Sequence, residues 1–108
     1  VGYAKAMEMA VTGEPITAQE AADRGLVSRV TAAGGALDEA IALAERIARN
    51  APLAVAASKA LIRATQGATE EELWALQQPF LKTVWGSQDA KEGPRAFAEK
   101  RAPEWTGT

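Results

Sequence analysis

Residues 36–64, ALDEAIALAERIARNAPLAVAASKALIRA, decide the fold class. Leu37, Ala40, Ile41, Ala44, Ile47 and Ala48 recur at intervals of three and four, a spacing that puts them on one face of an α-helix. Asn50 closes that helix. Pro52 opens the next one, at a position where a missing N–H leaves no helical hydrogen bond unmade. In the second helix Leu53, Ala56, Ala57, Ala60, Leu61 and Ala64 share a face made largely of small side chains, which lets a neighbouring helix approach closely. Two helices in direct succession predict a mainly α chain.

Downstream, Gly67 breaks the pattern. Thr69-Glu70-Glu71-Glu72 then forms a capping box: the hydroxyl takes a free N–H of the first turn, the third acid reaches back, and all three acids face the positive end of the helix dipole. Leu73, Leu76, Phe80 and Val84 line one face of this helix. Trp74, Leu81 and Trp85 broaden it, and Pro79 inside it is expected to bend it. Ser87 and Asp89 suit the caps of a short turn. Gly93-Pro94 reads as a restart, with Pro94 at the first position of a last helix ending near Lys100. The tail from Pro103 to Thr108 is expected to be irregular.

Upstream, residues 2–11 have helical composition, with Ala4, Met7, Ala10 and Val11 as an apolar stripe. Gly13 ends it, and proline at position 15 forces Glu14 into an extended conformation. Thr17-Ala18-Gln19-Glu20 is a second capping box, opening a short helix that stops at Gly25. Leu26–Val30 fits a short strand or extended segment, and Gly34-Gly35 a turn. The expected architecture is six or so helices, one short extended segment and no sheet.

Composition removes several kinds of chemistry. The 108 residues suffice for one small domain. There is no cysteine and no histidine. Disulfides, thiolate nucleophiles, zinc–cysteine sites and Ser–His or Cys–His dyads are therefore excluded. A net charge of −2 gives no bulk signature of nucleic-acid binding. No apolar run approaches the ~20 residues of a membrane span, so no membrane partner is expected. Lys5 and Glu8 interrupt any signal-peptide pattern, and the lack of cysteine fits a cytoplasmic location. The chain begins at Val1 with residues that read as the inside of a helix, so further chain is expected upstream.

Few residues invite a catalytic reading. Glu70, Glu71 and Glu72 are accounted for by dipole compensation. Ser58 and Lys59 are adjacent on a helix and point about 100° apart, so they do not face each other. Neither Gly2 and Gly13 nor Gly34-Gly35 has the strand–glycine–helix context of a phosphate loop. Phe80, Leu81 and Trp85 suit either an apolar lid over a ligand or a core or subunit interface. Lys100 and Arg101 suit either phosphate contact or a solvated helix end. Four cations against three acids over residues 89–101 do not decide between those two.

Three stretches together resemble one family. They are GYAKAMEMAVTGEPITAQEAADRGLVSRVT at 2–31, NAPLAVAASKALI at 50–62 and SQDAKEGPRAFAEKRAPEW at 87–105. Their order and motifs are similar to the enoyl-CoA hydratase/isomerase (crotonase) family, in which a Thr-Gly turn leads to an Ala-x-Glu-Ala helix and a Gly-Leu-Val step. An Asn-Ala-Pro helix follows, then a closing Ser-x-Asp…Glu-Gly…Ala-Phe-x-Glu-Lys-Arg-x-Pro signature. The resemblance covers nearly the whole chain. Pro79 and Pro94 depart from the family's common pattern.

The resemblance implies that residues 1–108 are the C-terminal helical region of a crotonase-like, ββα-superhelix fold. The enzyme it implies is a lyase or isomerase of acyl-CoA thioesters in fatty acid metabolism. It leaves hydration, isomerisation and hydrolysis open, because the acids that decide between them are expected upstream, with the oxyanion hole. No catalytic residue and no metal ligand maps onto this chain. Coenzyme A enters only as part of the substrate. Lys100 matches the basic residue that approaches a CoA phosphate, and Phe80 and Leu81 lie near the apolar residue that meets the adenine. The implied partners are the crotonase core and neighbouring subunits, in a trimer or dimer of trimers. The alternative is a stand-alone α-helical oligomerisation module without a ligand.

Overall fold

A computed structural model describes residues 1–108 and contains six α-helices and no strand. They are α1 (Tyr3–Thr12), α2 (Ala18–Asp23), α3 (Ala36–Ala48), α4 (Pro52–Ala64), α5 (Glu70–Gly86) and α6 (Asp89–Glu99). The chain divides into two compact units, Val1–Ala42 and Leu43–Thr108.

In the first unit, α1 ends where Gly13 turns left-handed at φ 69° and donates its N–H to Met9 O at 3.0 Å. A side chain at that φ would be strained, so glycine is the residue the turn requires. Lys5 pairs with Glu8 at 2.9 Å and reaches Glu20 of α2 at 3.3 Å. Both carboxylates hold the Lys5 ammonium in its charged form and raise its pKa, with the Glu8 hydrogen bond the larger influence.

One expectation is corrected here, and one choice between alternatives is decided. The Thr17 capping box is only half made: Thr17 Oγ1 accepts the Glu20 N–H at 3.1 Å, while the Glu20 carboxylate serves Lys5 and Arg24 instead. A cation on each side attracts the carboxylate more strongly than one backbone N–H does. Leu26–Val30 does not become a strand, because the amides of Leu26 and Val27 fold back onto Ala21 O at 2.8 and 3.4 Å. With those donors engaged at the end of α2, no partner strand forms beside them.

The apolar stripe of α1 is exposed: Ala4, Met7, Ala10 and Val11 all face solvent, as do Leu37, Ile41 and Ile47 of α3. The periodicity identifies the helices and their apolar faces. It also implies that those faces are inside, and this chain does not cover them.

In the second unit, α4 packs against α5 and α5 against α6. Here the apolar patterns do turn inward. Leu53, Ala57, Ala60, Leu61 and Ala64 of α4 are half-buried, and so are Leu73, Phe80 and Val84 of α5, whereas Ala56 and Leu76, expected on the same faces, are exposed. Pro52 occupies the first turn of α4 as expected. Asn50 Nδ2 donates to Arg46 O and Ile47 O, both at 3.1 Å, closing α3. The Thr69 capping box is complete: Thr69 N–H donates to Glu72 Oε2 at 2.7 Å, and Glu72 N–H donates to Thr69 Oγ1 at 3.3 Å. Helix α5 runs from Glu70 to Gly86 through Pro79 without a break.

Gly93-Pro94 is not a restart. Helix α6 is already under way at Asp89, because Ser87 Oγ accepts the Ala90 N–H at 3.1 Å and caps the helix there. Pro94 therefore lies inside α6. A proline inside a helix removes one backbone donor and crowds the carbonyl four residues back, and α6 nonetheless continues through Pro94 to Glu99.

Candidate functional site

Two neighbourhoods of the second unit hold the residues singled out from the sequence. The first is an open groove beside α5, about 820 Å³ in volume, lined by Ala68, Ala75, Leu76, Pro79 and Phe80, with Gln66, Gly67 and Glu72 also on its wall. Gly67 is left-handed at φ 82°, which lets the α4–α5 connection turn sharply above α5. The groove is mostly apolar. Its one acid, Glu72, is engaged by the Thr69 backbone N–H and hydroxyl, which lower its pKa, the backbone bond more. Phe80 is half-buried in this groove; Leu81, 40% exposed, is not part of its lining.

The second neighbourhood is the end of α6. Arg101 grips Glu92 with both terminal guanidinium nitrogens, Nη1 at 2.5 Å and Nη2 at 3.0 Å, and its Nε donates to Glu99 at 2.6 Å. Glu92 also accepts the Glu104 N–H at 2.9 Å. The Arg101 guanidinium, and after it that backbone N–H, hold the Glu92 carboxyl at a pKa of about 2. Glu92 and Glu99 in turn raise the pKa of Arg101. A two-pronged guanidinium–carboxylate pair of this kind is both stronger and more directional than a single ion pair.

That geometry separates the two neighbouring cations. The forks of Arg101 are occupied by Glu92, Glu99 and the Ala102 carbonyl, so Arg101 is a structural residue and not a free phosphate ligand. Lys100 is exposed, forms no ion pair and sits at the left-handed end of α6. Neither Lys100 nor Leu81 lines the groove that holds Phe80, so the three residues do not share one cavity wall.

Sequence reasoning misses what fastens this end of the chain. It assigns Asp89 to the cap of a turn. The Asp89 carboxylate, in a residue only 3% exposed, instead accepts the N–H groups of Thr106 and Gly107 at 2.7 and 3.1 Å and the Thr106 hydroxyl at 3.2 Å. Trp105 donates its indole N–H to Arg49 O at 2.8 Å, and its ring lies over Gly93. The tail is irregular, as expected, yet tied down along its length. These partners are 17 to 56 residues apart and leave no local signature.

The arrangement suits holding a ligand or a protein surface more than moving protons. The displaced equilibria, those of Lys5, Glu8, Glu72, Glu92 and Arg101, are all shifted toward the charged form. A general acid or base needs the opposite, a pKa drawn toward the working pH. No group of three or more acidic side chains is placed to hold a metal ion. No helix is long and apolar enough to cross a membrane.

Comparison with known proteins gives one consistent result. The family model described as enoyl-CoA hydratase/isomerase matches residues 1–108. Carnitinyl-CoA dehydratase of Proteus mirabilis is 47% identical over 104 residues, covering 93% of this chain and 40% of its own length. Enoyl-CoA hydratase EchA19 of Mycobacterium tuberculosis is 45% identical over 105 residues, covering 97% of this chain and 40% of its own length. The crystal structure of enoyl-CoA hydratase EchA1 from Mycobacterium marinum superposes with a TM-score of 0.95 at 49% identity, over 100% of this chain and 43% of that one. The chain thus spans about two fifths of the length of the relatives it matches.

Proposed function

The chain belongs to the enoyl-CoA hydratase/isomerase family, and from that membership we propose that it serves as the helical C-terminal segment of an enzyme acting on acyl-CoA thioesters. In this reading it supplies subunit contacts and part of the coenzyme A site, with Lys100 toward a CoA phosphate and Phe80 and Leu81 toward the adenine. The proton-transferring acids and the oxyanion hole belong to a catalytic core that this segment packs against, and CoA arrives as part of the substrate. Trimeric assembly in the cytoplasm completes the proposal.

The observation that carries it is the surface. Large apolar side chains stand exposed in both units, Tyr3 and Val11 in the first and Trp74, Trp85 and Phe97 in the second. Ala21 and Ala96 are its only buried hydrophobic residues, while Trp74, Trp85 and Phe97 are 61, 74 and 87% exposed. Apolar surface on this scale marks an interface rather than a finished exterior. A core and neighbouring subunits account for it, and so does the division of labour between a segment that binds and a core that reacts.

The test is a hydration assay with crotonyl-CoA on the chain alone and on the chain joined to a crotonase core. The chain alone is expected to give no turnover, and the joined protein to turn over. Hydration by the purified chain by itself overturns the division of labour. A soluble monomer of the chain at high concentration, with Trp74, Trp85 and Phe97 protected from solvent, overturns the role in subunit contact.

A further inference from the structure

Lys100 occupies a backbone position that the rest of the chain gives to glycine. Its φ and ψ are 54° and 38°, and it is the only non-glycine residue with positive φ; Gly13, Gly25, Gly34, Gly67 and Gly107 take the others. A side chain there is disfavoured by contact between Cβ and the backbone. Such a conformation persists where surrounding contacts over-determine it, and it is found disproportionately where a particular side chain is needed.

The contacts that impose it are identifiable. Lys100 N–H donates to Phe97 O at 3.2 Å, and Arg101 N–H to Ala96 O at 3.1 Å, closing the end of α6. The next residue is then anchored by its side chain, since the Arg101 fork holds Glu92, nine residues back along α6. Glu92 simultaneously takes the N–H of Glu104 beyond the turn. The chain is thus pinned on both sides of Lys100. The same bonds have an electrostatic result. Glu92 and Glu99 are the acids adjoining this turn on α6; Arg101 engages both, and Arg95 stands 3.9 and 3.5 Å from them as a second, looser cation. With those carboxylates occupied, the Lys100 ammonium is left without an ion pair.

We propose that Glu92 and Arg101 are positioning residues for Lys100: their two-pronged pair fixes the left-handed turn and keeps the nearby carboxylates away from the lysine, so that its ammonium is free for a phosphate of coenzyme A. This rests on the reading of Lys100 given above. It adds that the contact depends on a residue pair that itself touches no ligand. It also makes a counter-intuitive claim, that an acidic side chain beside the site favours binding of an anion.

The experiment measures, in the complete enzyme, the Kd of CoA and of pantetheine, which carries no phosphate. The readout is the ratio of the two, which a general loss of folded protein leaves in place because it weakens both alike. Lys100→Gly removes the ammonium at a position where glycine is at ease, and is expected to lower the preference for CoA roughly tenfold, the worth of one charge-assisted hydrogen bond. Glu92→Gln and Arg101→Lys are expected to lower it several-fold as well. Simple charge counting gives different results for both. Glu92→Gln deletes a negative charge next to the site and should strengthen the preference for CoA, and Arg101→Lys leaves the charge unchanged and should have no effect. If Lys100→Gly lowers the ratio while Glu92→Gln and Arg101→Lys leave it unchanged or raise it, the positioning role is overturned and the Lys100 contact stands. If Lys100→Gly leaves the ratio unaltered, the contact and the positioning role both fall.

Discussion

Helix α5 and helix α6 with its tail are neighbours held by opposite means. Helix α5 carries Trp74, Phe80 and Trp85 in 17 residues and buries none of its side chains fully; its own stabilising feature is local, the Thr69–Glu72 capping box at its start. Helix α6 has a low apolar content, yet Asp89 and Ala96 are buried within it, and it is tied by Asp89 to Thr106 and Gly107 and by Glu92 to Arg101 and Glu104. The α6 end is fastened by polar groups, while Trp74 and Trp85 of α5 and Phe97 of α6 stand exposed. A self-sufficient domain shows the reverse, with aromatic rings inside and polar groups at the surface. The difference fits the proposed role in subunit contact, with the α6 end set by its own bonds and the rings of α5 left available.

The sharpest way to break that comparison is to remove the buried carboxylate. Asp89→Ala leaves the N–H groups of Thr106 and Gly107 without acceptors in a place poorly reached by water. A loss of about 3 kcal/mol is expected, since bonds to a charged acceptor are worth roughly 1.5–3 kcal/mol each and are only partly replaced. Denaturant unfolding measures it, with release of the tail visible as a red shift in Trp105 emission. A loss within 0.5 kcal/mol (roughly the scatter of ordinary surface substitutions) would mean that the tail is merely resting on α6.

The second change addresses α5 from its exposed side. Trp85→Glu puts a charge on the most exposed ring of that helix and should weaken association at least about tenfold, as expected for losing an aromatic anchor at an interface. Sedimentation across a wide concentration range reads this directly. Unchanged assembly would move the interface to the other apolar faces, those of α1 and α3.

These two regions also differ in how much of them is legible in the sequence. The start of α5 is legible because its determinants lie within four residues: Thr69 and Glu72 name their own bonds. The existence of α1, α3, α4 and α5 is legible from periodicity, and so is the small-residue face of α4; that α5 is the helix packed on it is not. Whether an apolar stripe is covered is a different matter. Met7 and Val11 of α1 stand four residues apart, as do Leu53, Ala57 and Leu61 of α4, and only the rest of the molecule decides that the second set is half-buried and the first exposed. The α6 end misleads for a related reason. Gly93-Pro94 is a strong local signal for a helix start, but Ser87 has already supplied the cap. The true partners of Asp89 and Glu92 lie nine to 18 residues away, beyond the reach of any local rule. The sequence around Phe80, Leu81 and Lys100 leaves a ligand role and a structural one both open, and only the family resemblance assigns them to coenzyme A.

Acid titration separates the two regions more gently. The Glu92 carboxyl is lowered from its ordinary 4.5 to about 2 by Arg101 and the Glu104 N–H. A depressed carboxylate contributes stability that is fully present above its unfolded pKa and is lost as pH falls toward the folded one. Stability from the α6 clamp should therefore be constant from neutral pH down to about 4.5 and decline between there and about 2. Glu72 at the start of α5 is shifted in the same direction, so Glu92→Gln should remove part, not all, of the acid sensitivity. Unfolding curves at about pH 7 and about pH 3, on either side of that window, provide the measurement for both proteins. An identical acid penalty in the variant would place the acid-sensitive bond elsewhere.

The smallest expected effect concerns the contact between α6 and its tail. Gly93 lies inside α6 with an ordinary helical backbone, where glycine is less favourable than alanine by roughly 0.5–1 kcal/mol. A methyl group there would stand 3.4 Å from Cη2 and 3.7 Å from Cζ3 of the Trp105 ring, ordinary contact distances. The space therefore admits alanine without moving the ring, and Gly93→Ala should raise stability by about 0.5 kcal/mol. Any larger group would displace Trp105 from Gly93 and break its bond to Arg49 O, so Gly93→Val should destabilise. The pair of substitutions, read by denaturant unfolding, measures how closely the tail is seated. If alanine destabilises too, the indole lies nearer the helix than these distances allow, and Gly93 is held by packing rather than tolerated. If valine is neutral, the ring moves freely, and the polar bonds of Asp89 alone secure the tail.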